Sequence, residues 1–257
     1  MKVTIIGAGN MGGAIARGLA KGTVVNVADI MVADPSETVL QSLHEEYPLM
    51  SVTTDNRVAV SDADFVVVAV KPWLMKPVLS ELSLQSHQVL VSVAAGISFE
   101  QLVEYTASPE LTMFRIVPNT AISQLQSMTL ISSRQATPEH ERLMVEIFNE
   151  MGMAMMVPES QLAATTALTS CGIAYVLKYV QAAMQAGVEM GLYPKDAQKM
   201  VAQSVMGAAS LLLNNDTHPS IEIDKVTTPG GITIKGINEL EHAGFTSAII
   251  KAMKASR

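Results

Sequence analysis

The hexapeptide Gly7-Ala8-Gly9-Asn10-Met11-Gly12 stands between two runs of opposite character. The run before it, KVTII, is β-branched and apolar, whereas NMGGAIARGLAK (Asn10–Lys21) carries apolar residues at helical spacing. A G-x-G-x-x-G turn at a strand-to-helix junction leaves few folds open. Gly7 permits the tight turn, Gly9 lets backbone approach a pyrophosphate, and Gly12 allows helix and strand to pack closely. The N-terminus of the helix then offers free N–H groups and a partial positive charge to the anion. Residues Gly7, Ala8, Gly9, Asn10, Met11 and Gly12 are therefore expected to hold a dinucleotide. A glycine-rich turn without a ligand is the bland alternative.

The rest of the first half fits a doubly wound α/β sheet. DIMVAD reads as a second strand, followed by a helix opening at Pro35-Ser36. DADFVVVAV (Asp62–Val70) is a continuous apolar run bounded by polar residues, as expected of a parallel strand buried on both faces. HQVLVSV, LTMFRIV and SMTLIS read as further strands. From Pro158 the character changes, with Ala, Met, Leu and Gln at helical spacing. The pattern predicts a long helix to about Met190, then helices over Pro194–Leu213, near His218-Pro219-Ser220, from about Gly231 to His242, and from Phe245 onward. The expected organisation is a Rossmann-like domain over 1–157 and an all-α domain over 158–257 that binds substrate and forms a dimer.

Charge and cysteine content narrow the function. A net charge of -7 without a basic run argues against affinity for nucleic acid or an anionic membrane. The most apolar long stretch, Leu162–Leu192, carries Lys178 and Glu189 and so reads as a buried helix, not a membrane span. Cys171 has no partner for an internal disulfide, and the first residues lack a signal-peptide pattern, so a cytoplasmic protein is expected. None of the five histidines has metal-ligand or triad spacing, and no metal is expected.

Asp34, at the end of the second strand, is placed to contact an adenosine ribose. A carboxylate there accepts from a free 2′-hydroxyl and repels a 2′-phosphate, which leans the site towards NADH. It also has a simpler use, as the start of a turn or a helix cap before Pro35. Ligands of such sheets lie beyond the carboxyl ends of the strands. The segments Ala69-Val70-Lys71-Pro72-Trp73, Val93-Ala94-Ala95-Gly96-Ile97 and Val117-Pro118-Asn119-Thr120-Ala121 are expected to face that crevice. Lys71 is open to a catalytic reading or to that of a solvated strand-end lysine.

A last feature is DKVTTPGGITIKGINELE (Asp224–Glu241), where Pro-Gly-Gly flanked by threonines interrupts two helical stretches. Adjacent glycines with hydroxyls on both sides suit a backbone that approaches a ligand closely. Together with IGAGNMGGAIARGL, Asn56, AVKP, AAG and PNT, this segment resembles pyrroline-5-carboxylate reductase along nearly the whole chain. The resemblance implies reduction of Δ1-pyrroline-5-carboxylate to L-proline, the last step of proline biosynthesis, by hydride from NADPH or NADH. It implies that Gly230, Gly231 and Ile232 offer N–H groups to the substrate carboxylate. It also implies that Thr233 bonds the ring nitrogen, that Thr228 adds a hydroxyl, and that Glu159 lies near the ligand. Asn56, Ala69, Val70, Lys71, Pro72, Val93, Ala94 and Ala95 would line the cofactor site. A homodimer or a larger assembly of dimers is implied as well. Without the resemblance, Pro229-Gly230-Gly231 reads equally as a bend and Thr233 as a cap.

Three departures bear on this. The family's Gly-Ser-Gly-Pro-Ala-Tyr segment is SCGIAY here, with Ile173 in place of proline, and Ala163 replaces an acidic or amide residue. Family members commonly use NADPH, so Asp34 also departs, and the cofactor preference stays open. The β-hydroxyacid dehydrogenase plan needs an Asn one turn after the helix lysine, whereas Ala182 follows Lys178. A reductase of a related cyclic imine, and a sensor of dinucleotide and metabolite without turnover, are the alternatives.

Overall fold

The computed structural model describes residues 1–257. Short apolar runs become strands, and the amphipathic stretches between them return across the sheet as helices. In chain order the first half is β1 Val3–Ile6, α1 Asn10–Lys21, β2 Ile30–Ala33, α2 Glu37–Glu46, β3 Ser51–Thr53, α3 Asn56–Val60 and β4 Phe65–Val68. It continues with α4 Met75–Glu81, β5 Val89–Ser92, α5 Phe99–Thr106, β6 Thr112–Val117, β7 Ser127–Arg134, α6 Pro138–Asn149 and β8 Gly152–Met156.

The strands form one eight-stranded sheet in the order β3-β2-β1-β4-β5-β6-β7-β8. β1 pairs in parallel with both β2 and β4, so the winding reverses beside it, where such sheets bind ligands. β7 runs antiparallel to β6, and β8 then runs parallel to β7. β1 and β4 are buried at every residue, as strands covered on both faces must be. One face packs on α1, α2 and α6 through Ile15, Leu19, Leu43, Met144 and Phe148. The other packs on α4 and α5 through Met75, Leu79, Phe99 and Leu102.

Two strands, β3 and β8, have no counterpart in the sequence pattern. β3 has only Val52 as an apolar residue, and GMAMM in β8 has no β-branched residue. Both form at the edges of the sheet, because a neighbouring strand supplies the hydrogen bonds.

The expected long helix up to Met190 is broken. A 3-10 turn (Glu159–Gln161) leads into α7 (Leu162–Thr166), a π-turn (Ala167–Cys171) and then α8 (Gly172–Glu189). The chain divides into compact units of Met1–Ser170 and Cys171–Arg257, later than the expected change at 157/158. Side chains of Asn119 and Arg115 bond into the segment after β8, at Thr169 and Glu159 respectively.

The second unit holds α8, α9 (Pro194–Asn215), α10 (Pro219–Val226), α11 (Ile232–His242) and α12 (Phe245–Ala255). Its helix boundaries follow the pattern closely, with His218 capping α10 by accepting from the Ser220 N–H. No helix is long and apolar enough to cross a membrane. Few of its side chains are buried, and Leu177, Tyr193, Met206, Leu213 and Ile250 are all exposed.

Candidate active site

The glycine-rich turn leaves β1 at its carboxyl end and enters α1 through Gly9, which caps the helix without any side chain. The first intrahelical bond is Gly13 N–H to the Gly9 carbonyl, at 2.8 Å. The N–H groups of Asn10, Met11 and Gly12 therefore have no helical acceptor, and no acidic residue lies in that turn to neutralise them. Each motif glycine has a separate reason. Gly7 takes φ +94°, and a Cβ there would approach the Ala69 carbonyl oxygen to 2.9 Å. A Cβ on Gly12 would fall 1.8 Å from the Gly7 carbonyl oxygen. A Cβ on Gly9 would meet nothing within 4 Å. Gly9 is thus dispensable to the packing, and its backbone is open to an approaching anion.

Asp34 sits half-buried at the end of β2 and accepts from the Ala8 N–H at 2.7 Å and the Ser36 N–H at 2.9 Å. One carboxylate oxygen braces the glycine-rich turn and the other starts the turn into α2. The turn reading is thus present in the structure, and each oxygen retains lone pairs for a ribose hydroxyl. Asn56 opens α3 and is half-buried, next to Asp55, which caps that helix. Ala69 and Val70 follow β4, and the Ala69 N–H bonds the Ile6 carbonyl at 2.8 Å. Lys71 is exposed and caps a 3-10 turn begun by Pro72. After β5, Val93 N–H bonds Val68 O at 3.0 Å, Ala94 is buried and Ala95 exposed, and Gly96 turns the chain with φ +77°. These segments lie at the carboxyl ends of β1, β2, β4 and β5, along one rim of the sheet.

In the second unit the Pro-Gly-Gly loop forms another uncapped helix N-terminus. Gly230 has φ +72°, and a Cβ there would meet nothing within 4 Å. The Gly231 N–H bonds the Thr228 carbonyl at 3.0 Å and Gly231 caps α11 with no side-chain hydrogen bond. A Cβ on Gly231 would lie 2.6 Å from Thr228 Oγ1. Ile232 is 87% exposed, Thr228 and Thr233 are exposed too, and the first turn of α11 has no acidic residue. Thr233 lies inside that turn, after the capping position, so it is not the cap that the residues alone allowed. The loop has the chemistry of a small anion site with a hydroxyl at its edge.

Glu159 belongs to the first unit. It accepts from the Phe99 N–H at 3.0 Å and pairs with Arg115, whose side chain is only 13% exposed and lies over the Phe99 ring. Sequence reasoning did not single out Arg115, and the two residues are too far apart in the chain for any local pattern to link them. Within the SCGIAY segment, Tyr175 bonds the Ala252 carbonyl and Ser256 Oγ, tying α8 to α12. No group of three or more His, Cys, Asp or Glu is gathered as metal ligands would be.

Two family models match the chain. "Pyrroline-5-carboxylate reductase dimerisation" matches residues 159–257, and "NADP oxidoreductase coenzyme F420-dependent" matches residues 2–96. The chain is 35% identical to the pyrroline-5-carboxylate reductase of Methanosarcina acetivorans, over 100% of this chain and 97% of that one. It is 34% identical to the Escherichia coli enzyme of that name, covering 98% of this chain and 94% of the relative. Pyrroline-5-carboxylate reductase 1 of Dictyostelium discoideum is 37% identical over 99% of this chain, which spans 48% of that longer protein. Among solved structures, a pyrroline-5-carboxylate reductase from Coxiella burnetii superposes with TM-score 0.91 at 29% identity, covering 99% of this chain and 95% of that one. The Plasmodium falciparum enzyme with NADP bound gives TM-score 0.88 at 25% identity, covering 100% of this chain and 95% of its own.

Proposed function

The chain belongs to the pyrroline-5-carboxylate reductase family, and from that premise we propose that it reduces Δ1-pyrroline-5-carboxylate to L-proline with hydride from NADPH or NADH. The observation that carries this reading is a pair of uncapped helix N-termini. One, at Gly9–Gly12, has an open backbone and free donors suited to a pyrophosphate; the other, at Gly230–Ile232, suits the carboxylate of a small imino acid.

The reduced nicotinamide supplies the hydride when bound. The chain's own residues bind and orient. Gly7, Ala8, Gly9, Asn10, Met11 and Gly12 hold the pyrophosphate, and Asp34 holds the adenosine end. Asn56, Ala69, Val70, Lys71, Pro72, Val93, Ala94 and Ala95 line the rest of the cofactor. The N–H groups of Gly230 and Ile232 take the substrate carboxylate, with the Thr228 hydroxyl beside them, while the Gly231 N–H holds the loop closed on the Thr228 carbonyl. The Thr233 hydroxyl accepts from the ring N–H of the protonated imine, fixing which carbon faces the hydride donor. A protonated imine already accepts hydride well, so positioning supplies most of the rate.

The experiment is the initial rate of NADH and NADPH oxidation by purified protein given Δ1-pyrroline-5-carboxylate. Turnover with either cofactor supports the reading, and a preference for NADH supports the ribose role of Asp34. Turnover favouring NADPH keeps the enzyme and removes that role. Dinucleotide binding without turnover supports the sensor or a different cyclic imine. Thr233→Val is expected to lower kcat/KM for the imine by roughly tenfold or more, the worth of one hydrogen bond to a charged group. Dinucleotide affinity should not change.

A homodimer or larger assembly, in a reducing cytoplasm, belongs to the same proposal. Its supports are the exposed apolar faces of α8 and α9 and the match of residues 159–257 to a dimerisation model. Sedimentation is expected to give a dimer or a multiple of one. Leu177→Glu, which places a charge at an apolar position 61% exposed in the single chain, should shift it to monomer.

A further inference from the structure

Asn119 leaves the carboxyl end of β6 and is 5% exposed, yet it spends its polar groups in two directions. Towards β7, its N–H donates to Ser127 Oγ at 3.1 Å, and that hydroxyl meets Thr129 Oγ1 at 2.9 Å. Its Oδ1 accepts from the Ala121 N–H at 3.0 Å, and its carbonyl accepts from the Ile122 N–H at 3.1 Å. In the other direction, Nδ2 donates to the Thr169 carbonyl at 3.1 Å. Ser170 Oγ answers by donating to the Pro118 carbonyl at 3.3 Å. Two hydrogen bonds thus lace the Pro118-Asn119 corner to the π-turn.

A π-turn holds one residue more than an α-turn and is uncommon unless something outside the helix stabilises it. Here the external partner is visible: the Thr169 carbonyl has a buried amide aimed at it. The location gives this a purpose. The glycine-rich turn follows β1, and Asp34 lies to one side of it, just after β2. A dinucleotide lying across the switch point with its adenosine at Asp34 places its other half over the carboxyl ends of β4, β5 and β6. The Pro118-Asn119 corner is the end of β6.

We propose that Asn119 is a positioning residue for the reductase reaction, holding the π-turn in register so that the reacting end of the crevice keeps its shape. This rests on the reading of the chain as an imine reductase. It predicts that the donating half of the Asn119 side chain governs use of the imine, while dinucleotide binding, centred on β1 and β2, does not depend on it.

The test is Asn119→Asp, which preserves shape and the oxygen that accepts from Ala121 but removes the donor to Thr169. In the full chain, kcat/KM for Δ1-pyrroline-5-carboxylate is expected to fall on the order of tenfold or more, the scale of a small misplacement at a reacting centre. NADPH affinity should stay within about twofold, since none of its expected contacts is altered. Backbone amide exchange should accelerate in the peptide spanning the π-turn and remain unchanged around the glycine-rich turn. Unchanged kinetics and exchange would overturn the proposal, as would equal losses of NADPH affinity and turnover. If Asn119→Asp does not fold, Ser170→Ala removes the second lace alone. It should give a smaller fall in kcat/KM with the same intact NADPH affinity, and wild-type kinetics there would overturn the proposal. An absence of turnover in the wild-type chain would sink the reductase reading instead, so the two failures remain distinct.

Discussion

Gly12→Ala is expected to abolish dinucleotide binding and to lower stability together, whereas Gly9→Ala should lose binding alone. The difference lies in what each new methyl group would meet. At Gly12 the Cβ would fall 1.8 Å from the Gly7 carbonyl oxygen, and the next contact is the Ala69 Cβ at 3.0 Å. Backbone and a buried alanine cannot step aside as a flexible side chain can, so α1 must move away from β1. Overpacking of this kind costs about 3 kcal/mol or more. For a chain of this size that corresponds to a fall in Tm on the order of 10 °C. NADPH affinity should drop at least 100-fold, because the donors at the helix N-terminus move with α1. At Gly9 the backbone has φ -65°, which any residue adopts, and no atom lies within 4 Å of the new methyl. Tm should then stay within about 2 °C, as at an unstrained surface site. Affinity should fall roughly 10- to 100-fold, the worth of one or two lost hydrogen bonds to an anion. Thermal unfolding paired with fluorescence titration of NADPH reads both effects. A Gly9→Ala chain with unimpaired affinity would remove the pyrophosphate from that turn.

How far such features can be read in advance depends on whether they are local. The glycine-rich turn, β4 and the helix over Pro194–Asn215 are each decided by neighbours in sequence, through period, flanking residues or a helix start. The same holds for the start of α11, where two glycines interrupt good helix formers. β8 is the contrary case. Its Met and Ala residues favour helix, and it is a strand because β7 offers parallel partners from Ser127 to Ile131. The reversal of β7 is equally hidden, since an apolar run carries no direction. The π-turn within the expected helix to Met190 accepts a hydrogen bond from a carboxamide that reaches it from the end of β6, a contact no local pattern announces. The first compact unit likewise runs to Ser170, although the composition changes at Pro158. At the end of β2, Asp34 is legible in the sequence as a carboxylate that starts the turn into α2. That it also braces Ala8 is not, because this bond depends on how closely the ends of β1 and β2 approach.

Glu159 gives the second large effect, and here the family resemblance and the contacts lead to different results. A carboxylate that binds substrate would show itself in KM. The contacts instead make Glu159 the counter-ion of Arg115, which is 13% exposed on its side-chain atoms, and an acceptor for the first N–H of α5. Removing the carboxylate leaves a largely buried guanidinium without its partner. Glu159→Ala is therefore expected to destabilise the chain by about 2 kcal/mol, between the small worth of exposed pairs and the larger cost of orphaning a buried charge. That is a fall in Tm of roughly 4–8 °C. Glu159→Gln should cost about half as much, since its carbonyl still accepts from Phe99. Arg115→Met should also cost less than Glu159→Ala: it removes the buried charge itself, and Glu159, 32% exposed, can turn to water. Thermal unfolding of the three variants tests the order, and the double variant should show the two losses to be far from additive. Steady-state kinetics well below the transition separates the roles. As a clamp between β6, α5 and the segment after β8, Glu159 can be lost with the KM for the imine unchanged. A tenfold rise in that KM with an unaltered Tm would put Glu159 at the substrate instead.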